Sequence, residues 1–188
     1  MKRKLNILVC CSSHNSNEES INLLAKRVGE FIALNNHNIV MGACSKGMMG
    51  IVLDEVKKNP ECQIFPKGLE AYYDDYAKFG EENPTSTTIL YSRLGDRKKA
   101  LTDSSDIAIV LPGGIGTFDE LFSSAEGKRA KEHNVPIFLI NECGFFEPLK
   151  EQLETMVRMG FATKKDRDMF NFCDSYEELM TKISEIKD

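Results

Sequence analysis

The 188-residue sequence lacks the features that mark several common protein classes. No apolar run approaches the roughly 20 residues that a membrane-spanning helix needs, so no membrane partner is expected. There is no excess of basic charge: 24 Lys and Arg stand against 29 Asp and Glu, a formal net charge of −5. That balance argues against general nucleic-acid binding and leaves room only for a local basic pocket. The six cysteines, Cys10, Cys11, Cys44, Cys62, Cys143 and Cys173, form no C-x-x-C pair, and a core-rich chain of this size needs no disulfide staples. Buried or half-buried free thiols are expected. His14, His37 and His133 lack metal-ligand spacing, so no metal is expected. Internal repeats and low-complexity segments are absent too. Met1-Lys2-Arg3-Lys4 before Leu5 to Cys11 carries the charge of a signal peptide, but the apolar part is short and holds Asn6. A cytoplasmic protein is the expectation.

Two phosphate-binding signatures are also missing. No G-x-x-x-x-G-K-[ST] P-loop occurs, and the G-x-G-x-x-G dinucleotide fingerprint is incomplete, with Asp119 where its last glycine belongs. What is present instead is a stretch from Asp106 to Glu120 that organises the chain. Ile107 to Leu111 is an unbroken, β-branched apolar run stopped by Pro112, as expected for a strand covered on both faces. Gly113, Gly114 and Gly116 then allow a sharp turn and close approach of a ligand to the backbone. Thr117 suits a helix N-cap, and Glu120, three residues on, completes the spacing of a capping box. A helix start so placed favours an anion such as phosphate. The same residues also fit a tight strand-to-helix turn with an ordinary cap.

The rest of the chain alternates strands and helices. Leu5 to Cys10 reads as a first strand, followed by the polar turn from Cys11 to Asn17 and a helix from Glu18 to Leu34. Ser12 and Ser13 fall at the strand end, the edge at which open α/β sheets bind ligands, or serve as plain turn formers. Asn38 to Met41 is a second strand, the turn from Gly42 to Gly50 contains Gly47, and a helix runs from Met49 to Lys58. A third strand, Cys62 to Phe65, is expected to halt at Pro66. Tyr72, Tyr76 and Phe79 share one face of a short helix, with packing or a lid as its roles. Thr85 to Tyr91 is a strand, and the next helix runs to Asp103. Its start is basic, with Arg93, Arg97, Lys98 and Lys99. Such charges oppose the helix dipole, which suggests a partner for Arg97 or Lys98 beyond solvent. Helices from Thr117 to His133, with Leu121, Phe122 and Ala125 inward, and from Glu147 to Met159 flank a strand at Val135 to Ile140. Asp168 to Cys173 is a last strand, before a helix boxed by Ser175 and Glu178. This alternation predicts a Rossmann-like, doubly wound α/β fold, a mainly parallel sheet with helices on both faces, in one domain spanning residues 1–188.

Pro112 to Glu120 matches the P-G-G-x-G-T-x-x-E motif of the LOG family, the cytokinin riboside 5′-monophosphate phosphoribohydrolases long labelled lysine decarboxylases. Arg97-Lys98 resembles the second signature of that family, M-x-x-R-K, with Leu94 in place of methionine. The turn from Gly42 to Gly50 resembles its G-G-G-x-x-G-L-M-G loop, with Ala43 and Cys44 replacing two glycines. The resemblance spans roughly residues 5 to 160. It implies a homodimer that hydrolyses the N-glycosidic bond of a nucleoside 5′-monophosphate, without cofactor or metal, to free base and ribose 5-phosphate. Arg97 and Glu120 would be catalytic. Ser12, Gly47, Lys98, Gly113, Gly114, Gly116 and Thr117 would bind substrate. The altered loops leave the choice of base open, ordinary purine and pyrimidine nucleotides included. A nucleotide-binding module without turnover is the alternative. A literal lysine decarboxylase would need a Schiff-base lysine and a bound cofactor, and no residue marks one.

Overall fold

The computed structural model describes residues 3–83, 86 and 88–186, and for residues 73–77 the backbone alone. Seven parallel strands form one sheet in the order β4-β3-β2-β1-β5-β6-β7. They are β1 (Asn6–Cys10), β2 (Asn38–Gly42), β3 (Ile64–Leu69), β4 (Ile89–Tyr91), β5 (Ile107–Val110), β6 (Ile137–Ile140) and β7 (Phe170–Cys173). Among the described residues the helices are α1 (Glu19–Leu34), α2 (Gly47–Val56), α3 (Tyr73–Glu82), α4 (Leu94–Asp103), α5 (Ile115–Arg129), α6 (Glu147–Arg158), α7 (Lys164–Arg167) and α8 (Tyr176–Ser184). None is long and apolar enough to cross a membrane.

The pleat explains why the inner strands are apolar throughout. Ile7 and Val9 face α1, α2 and α8, packing with Leu24, Val28, Leu53 and Leu179. Leu8 and Cys10 face the opposite layer of α4, α5 and α6, packing with Leu101, Leu121 and Leu153. A strand covered on both faces has no solvent side on which to place polar residues. Each fully buried aliphatic side chain contributes roughly 1.5–3 kcal/mol relative to exposure. The sheet is therefore doubly wound, with helices on both faces, as the alternation of elements predicts.

Strand order reverses direction between β1 and β5, which pair in register from Ile7↔Ile107 to Cys10↔Val110. From β1 the chain crosses one way to β2, and from β5 the other way to β6. Loops leaving the carboxyl ends of β1 and β5 thus diverge and open a crevice, the usual ligand position of such sheets.

Several local expectations need correction. β3 does not halt at Pro66 but runs through it to Leu69. The odd-numbered carbonyls of β3 face β2, where Gln63 and Lys67 accept from Ile39 and Ala43. Pro66, with its missing N–H, therefore faces β4, which joins only from Lys67↔Ile89 onward. α5 begins at Ile115 and stops at Arg129, short of His133, where Lys131 adopts a left-handed backbone with φ of 63°. Phe122 is half exposed rather than inward, stacked on Phe118. Phe79 is buried, but Tyr72 lies in a 3-10 turn ahead of α3 and is exposed, so the two share no face. The side chain of Tyr76 and residue Thr85 lie outside the described residues. Ser175 caps α8 by accepting from the Glu178 N–H, whereas the Glu178 carboxylate reaches Asp174 N rather than the cap residue. A complete capping box forms instead at Thr163 and Asp166, opening α7. All six cysteines are free, and Cys143 is exposed on the turn before α6.

Candidate functional site

Four elements bring the charged residues of the site together at the carboxyl edge of the sheet. Arg97, on the first turn of α4, donates from Nη1 to Glu120 Oε1 at 3.1 Å and from Nε to the Lys67 carbonyl at 2.9 Å. Its guanidinium lies over the bare Cα of Gly42, at the end of β2. Glu120 is on α5, which follows β5 directly. Both side chains are largely withdrawn from water, 14% and 17% exposed. Beside them Lys98 Nζ meets Asp119 Oδ1 at 2.7 Å. The basic start of α4, unfavourable for its dipole, thus has carboxylate partners on α5.

Burial raises the Glu120 pKa above its ordinary value, and the Arg97 charge and hydrogen bond oppose that rise. The Cys10 thiol, buried at the end of β1, also acts to lower that pKa. Burial first, then the nearby carboxylate, holds the Cys10 thiol well above the usual thiol range. Lys67 is itself buried, and desolvation lowers its pKa.

The glycine turn from β5 into α5 departs from the capping box that its spacing suggests. Gly114 is the N-cap residue, with no side-chain cap, and Thr117 already lies inside the helix. Thr117 is buried against Gly113, where a Cβ would collide with its hydroxyl. Glu120, one turn in, is committed to Arg97 and leaves the cap untouched. The space above Gly114 and Gly116 is open, and both are exposed. The first N–H groups of α5 are those a helix cannot satisfy internally, so this turn offers an anion cradle next to the carboxylate.

Ser12 and Gly47 border the other side of the crevice. The Ser12 hydroxyl accepts from His14 N at 3.0 Å, closing a turn, while its carbonyl accepts from Met49 N at 3.1 Å. Gly47 opens α2 with φ of 59°, its Cα pressed against the Ser13–His14 backbone. Glycine is needed there both for its left-handed backbone and for space. Arg97, Glu120, Lys98 and the glycine turn are therefore neighbours, whereas the hydroxyl of Ser12 serves its own loop. Sequence reasoning missed Cys10, Asp119 and the Lys67 carbonyl. Asp119 adjoins the motif and could have been matched to the α4 cations, but no local pattern marks a backbone carbonyl.

A groove of about 620 Å³ runs between α4 and α5, taking in Lys98, Thr102, Asp119 and Phe122. It passes beside the Arg97–Glu120 pair without including it. A second hollow of about 470 Å³, lined by Lys128, Lys131, His133 and Lys165, lies at the opposite edge of the sheet, away from this chemistry. Among the described residues no group of three His, Cys, Asp or Glu could hold a metal ion.

Known proteins resemble this chain in sequence and in fold. A family model described as "Possible lysine decarboxylase" matches residues 36–183. A protein of Oryza sativa subsp. japonica designated "Probable cytokinin riboside 5′-monophosphate phosphoribohydrolase" is 28% identical over 95% of this chain and 76% of its own length. A cytokinin riboside 5′-monophosphate phosphoribohydrolase of Arabidopsis thaliana is 26% identical over 95% of this chain and 82% of its own. Among solved structures, the molybdenum cofactor carrier protein of Chlamydomonas reinhardtii superposes with a TM-score of 0.68, covering 97% of this chain and 98% of that one at 15% identity. At that identity the likeness concerns the fold alone. With the family model covering most of its length and both motifs meeting at one sheet edge, the chain belongs to the LOG family, whose model carries the lysine decarboxylase description.

Proposed function

We propose that this protein hydrolyses the N-glycosidic bond of a nucleoside 5′-monophosphate, giving the free base and ribose 5-phosphate. The observation that carries this reading is the Arg97–Glu120 pair, withdrawn from water beside an open glycine turn. The turn from Gly113 to Thr117 would take the 5′-phosphate at the start of α5, with Ser12, Gly47 and Lys98 bordering the substrate. The ribose would then lie against Glu120. As the C1′–N bond breaks, positive charge builds on the ribose, and a carboxylate stabilises it or draws a proton from the attacking water. Arg97 opposes the rise in pKa that burial imposes on that carboxylate and fixes its direction. The names of the relatives point to the same reaction class, with a cytokinin riboside 5′-monophosphate as one candidate substrate. AMP-like nucleotides are the other. A homodimer in the cytoplasm remains part of the proposal.

The test is base release by purified protein from isopentenyl-AMP, AMP, GMP, CMP and UMP, with the matching nucleosides alongside. Release from a monophosphate and not from its nucleoside is expected. Binding of these nucleotides with no base released would replace the proposal with its alternative, a nucleotide-binding module without turnover.

A further inference from the structure

The carbonyl of Lys67 supports Arg97, but nothing in that contact requires a lysine. The residue is 6% exposed, and among the described residues no hydrogen bond or ion pair engages its ammonium. Taking an ammonium out of water without a partner is costly. We propose that Lys67 is a further catalytic residue, meeting the base of the nucleotide and protonating it as it leaves. This role rests on the N-glycosidase reading; the placement of the side chain does not.

Strand register places it. Along β3, Ile64 packs in the layer of α1 and α2, and Phe65 in the layer of α4 and α5. Lys67 has the parity of Phe65 and therefore leaves the sheet on the α4 side. Its partner on β2 is Gly42, over which the Arg97 guanidinium lies. Adjacent strands are about 4.8 Å apart, so the Lys67 stem starts one strand spacing from that guanidinium. Arg97 Nε, donating to the Lys67 carbonyl at 2.9 Å, ties the two residues together. Along the carboxyl edge the order is then Lys67 on β3, Arg97 over β2, Glu120 beyond it, and the glycine turn after β5. A nucleotide with its phosphate in the turn and its ribose against Glu120 extends its base toward Lys67.

The other charged groups around β3 are committed elsewhere or face solvent. Arg97 and Glu120 hold each other, and Lys98 holds Asp119. Glu82, at the end of α3, pairs with Ser45 and Lys78. Glu70, Glu81, Arg93 and Asp96 are exposed, and Tyr91 of β4 is half-buried. Arg97 cannot act as the acid, because a guanidinium does not give up its proton. Lysine can, on a flexible stem that reaches the base. As the C1′–N bond breaks, its electron pair passes to the base, and Lys67 Nζ gives a proton to a ring nitrogen. Water adds to C1′ and gives a proton to Glu120; exchange with solvent then returns one to the lysine. Burial raises the pKa of Glu120 and lowers that of Lys67, which suits one as base and the other as acid.

The experiment compares the wild type with Lys67→Met, which keeps an unbranched chain of similar length. Substrates are the nucleotide of the panel that is cleaved and 4-nitrophenyl ribofuranoside 5-phosphate, whose phenolate leaves without a proton. Base release should fall about 10²–10⁴-fold in Lys67→Met, and nitrophenolate release far less. NMR of wild-type protein carrying carbon-13 at lysine Cε, with Lys67→Met assigning the signal, needs no turnover. AMP should shift the Lys67 signal, whereas ribose 5-phosphate should leave it in place. Equal losses on both substrates, no loss on either, or a Lys67 signal indifferent to bound AMP would overturn the proposal and leave Lys67 as packing. A signal that moves with AMP in a protein that releases no base would keep Lys67 at the base and refute the N-glycosidase reading instead.

Discussion

The guanidinium of Arg97 lies over Gly42, so close that a Cβ on Gly42 would stand within 3.0 Å of Nη2. Gly42 has an ordinary backbone conformation, without positive φ. Glycine is required there for space, because the end of β2 is the floor on which the arginine rests. With the Lys67 carbonyl on Nε and Glu120 on Nη1, the side chain is held from three directions.

Gly42→Ala should therefore displace Arg97 while sparing the fold. Overpacking of this kind costs about 1–3 kcal/mol. Activity should fall by at least tenfold, chiefly in kcat, with the circular dichroism spectrum unchanged. Wild-type kcat in this variant would mean that the contact with Gly42 does not orient Arg97.

Glu120→Gln keeps the size of the side chain and removes its charge. Loss of a general base or charge-stabilising carboxylate lowers rates by about 10²–10⁴-fold. Base release should fall into that range, while ribose 5-phosphate, whose phosphate is proposed to meet the glycine turn, should bind as before. Steady-state kinetics and calorimetry on the same preparation separate the two effects.

The raised pKa of Glu120 has two consequences of defined sign. If the carboxylate must be ionised, kcat/KM falls as pH drops through its folded pKa, and that limb lies above the ordinary 4.5. For stability the folded state holds the proton more tightly than the unfolded one. Stability from this group is thus fully present below the unfolded pKa and declines as pH rises through the folded one. Urea denaturation from pH 4 to 8 should show the wild type losing stability relative to Glu120→Gln as pH rises. A difference that is flat or opposite in sign would contradict the burial argument.

Gly47→Ala meets two obstacles, a left-handed backbone at φ of 59° and the main chain of Ser13 and His14. A destabilisation of about 1–3 kcal/mol follows, read from the urea midpoint. Gly95→Ala is the control, since a Cβ there meets nothing within 4 Å, and it should be neutral or slightly stabilising in its helix.

How much of this was legible beforehand differs from element to element. Ile107 to Leu111 and Leu5 to Cys10 could be read as buried strands because apolar runs of that length between turns have few other uses. The basic start of α4 also betrayed its need for partners, which proved to be Glu120 and Asp119. The capping box at Thr117 and Glu120 was the opposite case. Its spacing is a local pattern that the chain did not use, because Thr117 was drawn into the core and Glu120 toward Arg97. Pro66 misled for a related reason: proline ends a strand only where its missing N–H faces an occupied ladder.

The amino-acid sequence by itself determined the alternation of strands and helices, the doubly wound class, and the two motifs that carry the family resemblance. These depend on periodicity and on turn chemistry, which act over a few residues. Tertiary structure alone decided that Cys10, Gly42, the Lys67 carbonyl, Arg97 and Glu120 share one site. They come from β1, β2, β3, α4 and α5, and only the parallel strand order 4-3-2-1-5 brings those elements to a common edge. Burial then did what no local pattern encodes: it removed water from a carboxylate and raised its pKa, and Arg97 offsets only part of that rise.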